Sequence, residues 1–85
     1  MESYVAVTVG VLEDWIVEAL SAMNGRGSPV TVSKHIWEHH RSELERSGDM
    51  FYKWQYDMRW AAQRLRDTHQ LMKTGDRHFP WRLSE

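Results

Sequence analysis

Tyr52, Tyr56, Arg59, Gln63 and Arg66 recur at intervals of three and four, so a helix through them gathers all five on one face. The chemistry of that row is recognition rather than catalysis. Guanidinium groups grip phosphates and guanine edges, a carboxamide matches adenine, and tyrosine hydroxyls suit phosphate oxygens. Two exposed tyrosines one turn apart are less usual on a surface helix than exposed charge. The row points to nucleic-acid contact; the plainer alternative is a solvated face with ordinary Arg and Gln.

A second group could do metal chemistry. His35-Ile36-Trp37-Glu38-His39 fits the pattern H-x-x-E-H, in which two histidines one turn apart bind zinc and the glutamate acts as base. His40 follows at once. A catalytic zinc needs a third protein ligand, and Glu43 is the only nearby candidate. A cleft around the metal also needs more chain than 85 residues provide. The expectation is therefore a solvent-facing His35–His39 pair, a solvated Glu38, a partly buried His40, and no metal or other cofactor. Clustered histidines can also gain charge at about pH 6 and then favour an anionic partner. The chain holds no cysteine nucleophile, no phosphate-cradling glycine loop, and no serine with a convincing histidine–acid pair. No enzyme is expected.

Both groups depend on the helices that carry them. Phe51, Trp54, Met58, Ala61, Leu65, Thr68 and Met72 form the apolar face of one helix running from Asp49 to Lys73, with the tyrosine–arginine row opposite. Val32, Ile36, His40 and Leu44 mark an earlier helix, capped by Thr31 and closed by Gly48, with Asp49 capping the next. Leu12, Ile16, Ala19, Leu20 and Met23 mark the first helix, flanked by Trp15 and closed by Asn24-Gly25. Val30 is expected in a very short strand, and Tyr4 to Val9 alternates as either a strand or a frayed lead-in to the first helix. After Lys73 the chain turns and returns through Phe79-Pro80-Trp81-Arg82-Leu83. This order predicts a mainly α fold with a small β-hairpin: a winged helix-turn-helix of three helices plus a C-terminal wing, with residues 1–85 as a single domain. Periodicity alone would equally support a plain three-helix bundle; the C-terminal strand favours the wing.

Composition fits such a domain. Five tryptophans supply large core side chains to a chain of only 85 residues. Trp54, on the apolar stripe, is expected in the core, while Trp60 lies on the flank beside Lys53 and Arg64, where an exposed ring would mark a protein-binding patch. The net charge of −1 is not that of a strong non-specific nucleic-acid binder. Its distribution is more favourable, with −3 over residues 1–48 and +2 over residues 49–85. The absence of cysteine, of a membrane-length apolar run and of a basic N-terminal start predicts a cytoplasmic protein that does not engage membranes.

Met58-Arg59-Trp60-Ala61, Leu65, Leu71 and Trp81-Arg82-Leu83-Ser84 resemble the N-terminal winged-helix domain of Mrr-type restriction endonucleases. That pattern has Arg-apolar-x-Trp-Ala in the last helix, a leucine four residues on, and a closing Gly-x-Trp-x-Leu-Thr-like strand. The resemblance covers roughly the C-terminal 40 residues. Here Arg59 directly precedes Trp60, the glycine usual after the last helix is replaced near His69, and Pro80 stands where a wing glycine is common. The nuclease domain of that family has no counterpart in this sequence. The resemblance implies binding to double-stranded DNA and places Trp60 in the structural framework, packed against the wing through Trp81.

On that fold, Tyr52, Tyr56, Arg59, Gln63 and Arg66 would face DNA from the last helix. Lys73 would sit at the base of the wing, with Arg77 and His78 at its tip. The competing expectation is a winged-helix adaptor or homodimer that binds protein, to which the acidic Glu13, Asp14 and Glu18 of the first helix are suited.

Overall fold

A computed structural model describes residues 6–84. Helix α1 spans Val9–Ala22, strand β1 Arg26–Gly27, α2 Pro29–Glu45, α3 Met50–Asp67, β2 Leu71–Lys73 and β3 Trp81–Leu83. The protein is thus mainly helical, with a small three-stranded antiparallel sheet in the order β1-β3-β2. The hairpin of β2 and β3 is the wing, and β3 is its central strand. Tyr4 and Val5 of the alternating N-terminal segment lie outside the described residues. From Val9 the chain is helical, which leaves no strand between Ala6 and Val9.

Helix α1 begins where the Thr8 hydroxyl accepts the Val11 N–H at 3.2 Å. It closes as the sequence predicts: Asn24 and Gly25 both take positive φ, and the Gly25 N–H reaches back to the Leu20 carbonyl. Its inner face (Leu12, Ile16, Ala19 and Leu20) is fully buried. Trp15 is buried as well and belongs to the core rather than the flank.

Helix α2 starts three residues earlier than a Thr31 cap would place it. Ser28 is the N-cap, Pro29 takes the first turn where a missing N–H costs nothing, and Thr31 closes a reciprocal capping box. Val30 therefore lies in the helix, and the short strand forms just before it at Arg26–Gly27. Val32, Ile36 and Leu44 are buried as their spacing predicts, while the backbone at His40 leaves helical geometry and bends the helix. Gly48, at φ 68°, turns the chain toward α3, with Ser47 buried beneath the turn and its hydroxyl donating to the Leu44 carbonyl. Asp49 occupies the N-cap position of α3, but its side chain makes no capping bond.

The largest departure from the sequence expectation is at the end of α3. The helix stops at Asp67, and Leu71–Lys73 is a strand. Thr68 turns its hydroxyl back to the Arg64 carbonyl, and His69 enters the left-handed region at φ 64°. The Gln70 N–H then closes on the Leu65 carbonyl at 2.8 Å. Leu71 becomes the buried residue after the turn, while Met72 is 49% exposed. The apparent helical stripe through Thr68 and Met72 had hidden this switch of period.

Candidate nucleic-acid interface

Helix α3 buries Trp54, Met58, Ala61, Ala62 and Leu65 and turns its opposite side to solvent. Tyr52 is 85% exposed and Tyr56 57% exposed, so neither ring contributes much to the core. The Arg59 guanidinium lies over the Tyr56 ring, 5.4 Å from its centroid. One turn on, Arg66 Nη2 donates to Gln63 Oε1 at 2.8 Å, and Gln63 Nε2 donates to Asp67 Oδ1 at 2.9 Å. Arg59, Trp60, Gln63 and Arg66 surround a shallow depression of about 150 Å³.

All five residues of the predicted row are thus on one side of α3. Four of them form two ordered groups, Tyr56–Arg59 and Gln63–Arg66, the second joined by Asp67, while Tyr52 packs edge-on against Phe51. Asp67 tempers the positive charge of the second group. Arg64 is drawn off the face, with its Nε 2.8 Å from Glu13 Oε2 of α1.

The wing places Lys73 at the end of β2 and exposes Arg77 and His78 in the turn. Asp76 organises that turn by accepting the His78 and Phe79 N–H groups at 2.8 and 3.2 Å. Those two backbone bonds hold its carboxyl below the ordinary range, His78 first and Phe79 second. Thr74 N–H donates to the Pro80 carbonyl at 2.8 Å, so the hairpin closes with proline in place of a wing glycine. No hydrogen bond or ion pair among the described residues links the wing tip to the α3 row.

Trp60 overturns its expected role. It is 55% exposed, so it neither fills the core nor packs away beneath Trp81, which is itself buried. Its position explains the difference: Trp60 lies between Arg59 and the inward-facing Ala61 and Ala62, on the outer flank of the helix. A second apolar surface is the groove of about 640 Å³ between α2 and α3, lined by Val30, Lys34, Trp37, Phe51 and Trp54.

The histidine segment has a different organisation from the zinc pattern. His35 and His39 stack with ring centroids 3.9 Å apart, and His39 Nδ1 contacts its neighbour's backbone carbonyl. His35 is not solvent-facing; its Nε2 meets Glu18 Oε2 at 2.9 Å. His40 Nε2 meets the same oxygen at 2.9 Å, while its Nδ1 faces Glu43 at 3.4 Å. Burial alone would raise the Glu18 carboxyl, but hydrogen bonds from His35 and His40, with their charges, hold it below the ordinary carboxylate range. Glu18 thus fastens α1 to α2 and occupies the point where the two imidazoles converge. Among the described residues, no three His, Asp or Glu side chains are arranged to hold a metal ion.

The sequence reading does not single out Arg26 or Arg82. Both are exposed, and their strands are only two and three residues long, too short to leave a periodic signal.

Comparison with protein-family models, curated proteins and solved structures finds no match to this chain. Among the described residues, no helix is long and apolar enough to cross a membrane.

Proposed function

We propose that the protein binds double-stranded DNA through the outer face of α3, with the wing adding phosphate contacts. One observation carries this reading: Arg59 and Arg66 are held in position on a solvent-facing helix, by Tyr56 and Gln63 respectively, without a partner in the core. Ordered guanidinium and carboxamide groups are suited to base edges and phosphates, because less side-chain freedom is lost on binding. Lys73, Arg77 and His78 supply the wing contacts. The helix order and the C-terminal strand support the same reading, as does the resemblance to the winged-helix domain of Mrr-type endonucleases.

A second reading follows from Trp60. An exposed tryptophan beside Tyr56 and Arg59 has the composition of a protein-binding surface. The two readings differ in their salt dependence, because DNA contacts release counterions and an aromatic-centred protein interface does not.

The test is fluorescence anisotropy of a labelled mixed-sequence duplex titrated with the protein at about 50 and 200 mM salt. Binding that weakens steeply with salt, and that falls about tenfold or more in Arg59→Ala/Arg66→Ala, supports the DNA reading. An affinity unchanged by the double substitution removes this face from contact with DNA. An absence of binding at either salt concentration shifts the function to protein interaction.

A further inference from the structure

Antiparallel pairing of β1 with β3 sets Arg26 opposite Arg82, and pairing of β2 with β3 sets Met72 opposite the same arginine. Directly opposed residues project from one face of the sheet. The alternate row turns inward, where Trp81 and Leu71 are buried. Arg26, Arg82 and Met72 are all exposed, so the outer sheet face carries two adjacent guanidinium groups. Like charges placed directly opposite each other oppose strand pairing.

No close ion pair relieves that repulsion. Among the described residues, neither arginine has a carboxylate within ion-pair distance. Asp76 feels the charge of Arg26 without pairing to it, and its Oδ1 accepts the His78 and Phe79 N–H groups. Arg26 is fixed in place from the side, its guanidinium 4.5 Å above the centroid of the Phe79 ring. The result is a pair of forked donors without a close ion-pair partner, with Arg26 held in position by Phe79.

We propose that this outer sheet face, centred on Arg26 and Arg82, binds the phosphodiester backbone of a nucleic acid. Each guanidinium can grip a phosphate with two parallel N–H bonds, and an anion between them removes their repulsion. Arg77 and His78, exposed in the turn, add positive charge at the end of the same hairpin, whereas Lys73 pairs with Trp81 and belongs to the opposite row. Two arginines on an open face, with further cations in the adjoining turn, match a polymer of phosphates better than a single small anion. The proposal rests on the DNA reading for its partner, but its geometry comes from β1 and β3 rather than α3.

The test follows the arginine side-chain Nε–Hε signals and the backbone amides of the whole protein as a mixed-sequence duplex is added at low salt. The expected result is movement of the Arg26 and Arg82 signals together with the α3 amides. Arg26→Ala/Arg82→Ala should weaken binding about tenfold and reduce the logarithmic salt slope by about two, near 0.9 for each phosphate that is no longer neutralised. Arg26→Lys/Arg82→Lys keeps the charge and should restore most of the slope, which separates an electrostatic role from a merely structural one. Stationary Arg26 and Arg82 signals with moving α3 amides would overturn the proposal and leave the α3 reading intact. Movement of the two arginines without α3 would do the reverse, and no movement at all would remove both. A response to inorganic phosphate but not to the duplex would also overturn the proposal, assigning the face to a small phosphorylated ligand.

Discussion

The His40 ring lies flat against Trp15, with centroids 4.0 Å apart and planes 11° from parallel, at the residue where α2 departs from helical geometry. The bend therefore has a local counterpart: His40 stacks on α1 while its Nε2 reaches Glu18 of that same helix. Stacking and hydrogen bonding act together to join α1 to α2. An interruption that weakens α2 locally contributes to tertiary packing.

That junction gives stability a defined pH dependence. The Glu18 pKa is depressed on folding from an ordinary value of 4.5, so its contribution is complete above 4.5 and is lost as pH falls through the lower folded value. Urea midpoints should fall across that acidic range, and Glu18→Gln should flatten the decline. At neutral pH the substitution should cost on the order of 1 kcal/mol, a modest figure because the carboxylate is partly exposed. An acid limb of unchanged steepness in Glu18→Gln would show that Glu18 does not couple the helices.

His69 offers a backbone test. Its φ of 64° closes α3 where the resembling family carries glycine. Histidine tolerates this region better than branched residues do, yet any side chain bears some strain there. His69→Gly should hold or raise the melting temperature, and His69→Val should lower stability by about 1–2 kcal/mol. Equal melting temperatures for the two variants would mean that the turn is not held in the left-handed form.

These residues also show what the sequence made legible. Leu12, Ile16, Val32, Ile36, Trp54 and Leu65 could be placed in the core from spacing alone, because burial imposes a period on each helix. The outward tyrosine–arginine row followed as the complement of that face. The end of α3 did not, since Thr68 and Met72 happen to continue the helical spacing past the turn at His69. The histidine cluster was visible as a pattern but not as a structure. Its partner Glu18 lies 17 residues before His35, and no local rule connects them.

Trp54 and Trp60 should separate stability from recognition on one helix. Trp54 is 4% exposed and stacks parallel to Trp37, whereas Trp60 is 55% exposed. Trp54→Ala should cost about 3–5 kcal/mol and leave a marginal fold. Trp60→Ala should change stability by less than about 1 kcal/mol, as a surface substitution outside the core does. Its effect on partner binding is then free of unfolding. A large thermal loss in Trp60→Ala would return this residue to the packing role that the family resemblance implies.

The Arg26–Arg82 pair predicts a gain in stability where most substitutions bring a loss. Two arginines set opposite each other across β1 and β3 raise the energy of the folded sheet, and among the described residues neither forms a close ion pair with a carboxylate. Arg82→Thr removes that repulsion and places a β-favouring side chain on the central strand. The free protein should therefore gain roughly 0.2–1 kcal/mol in a denaturant titration, most at low salt and less as the remaining charges are screened. Arg82→Lys keeps the charge and should gain nothing. If Arg82→Thr instead lowered stability at every salt concentration, the arginine stem would be packing on the sheet and the two charges would lie too far apart to repel.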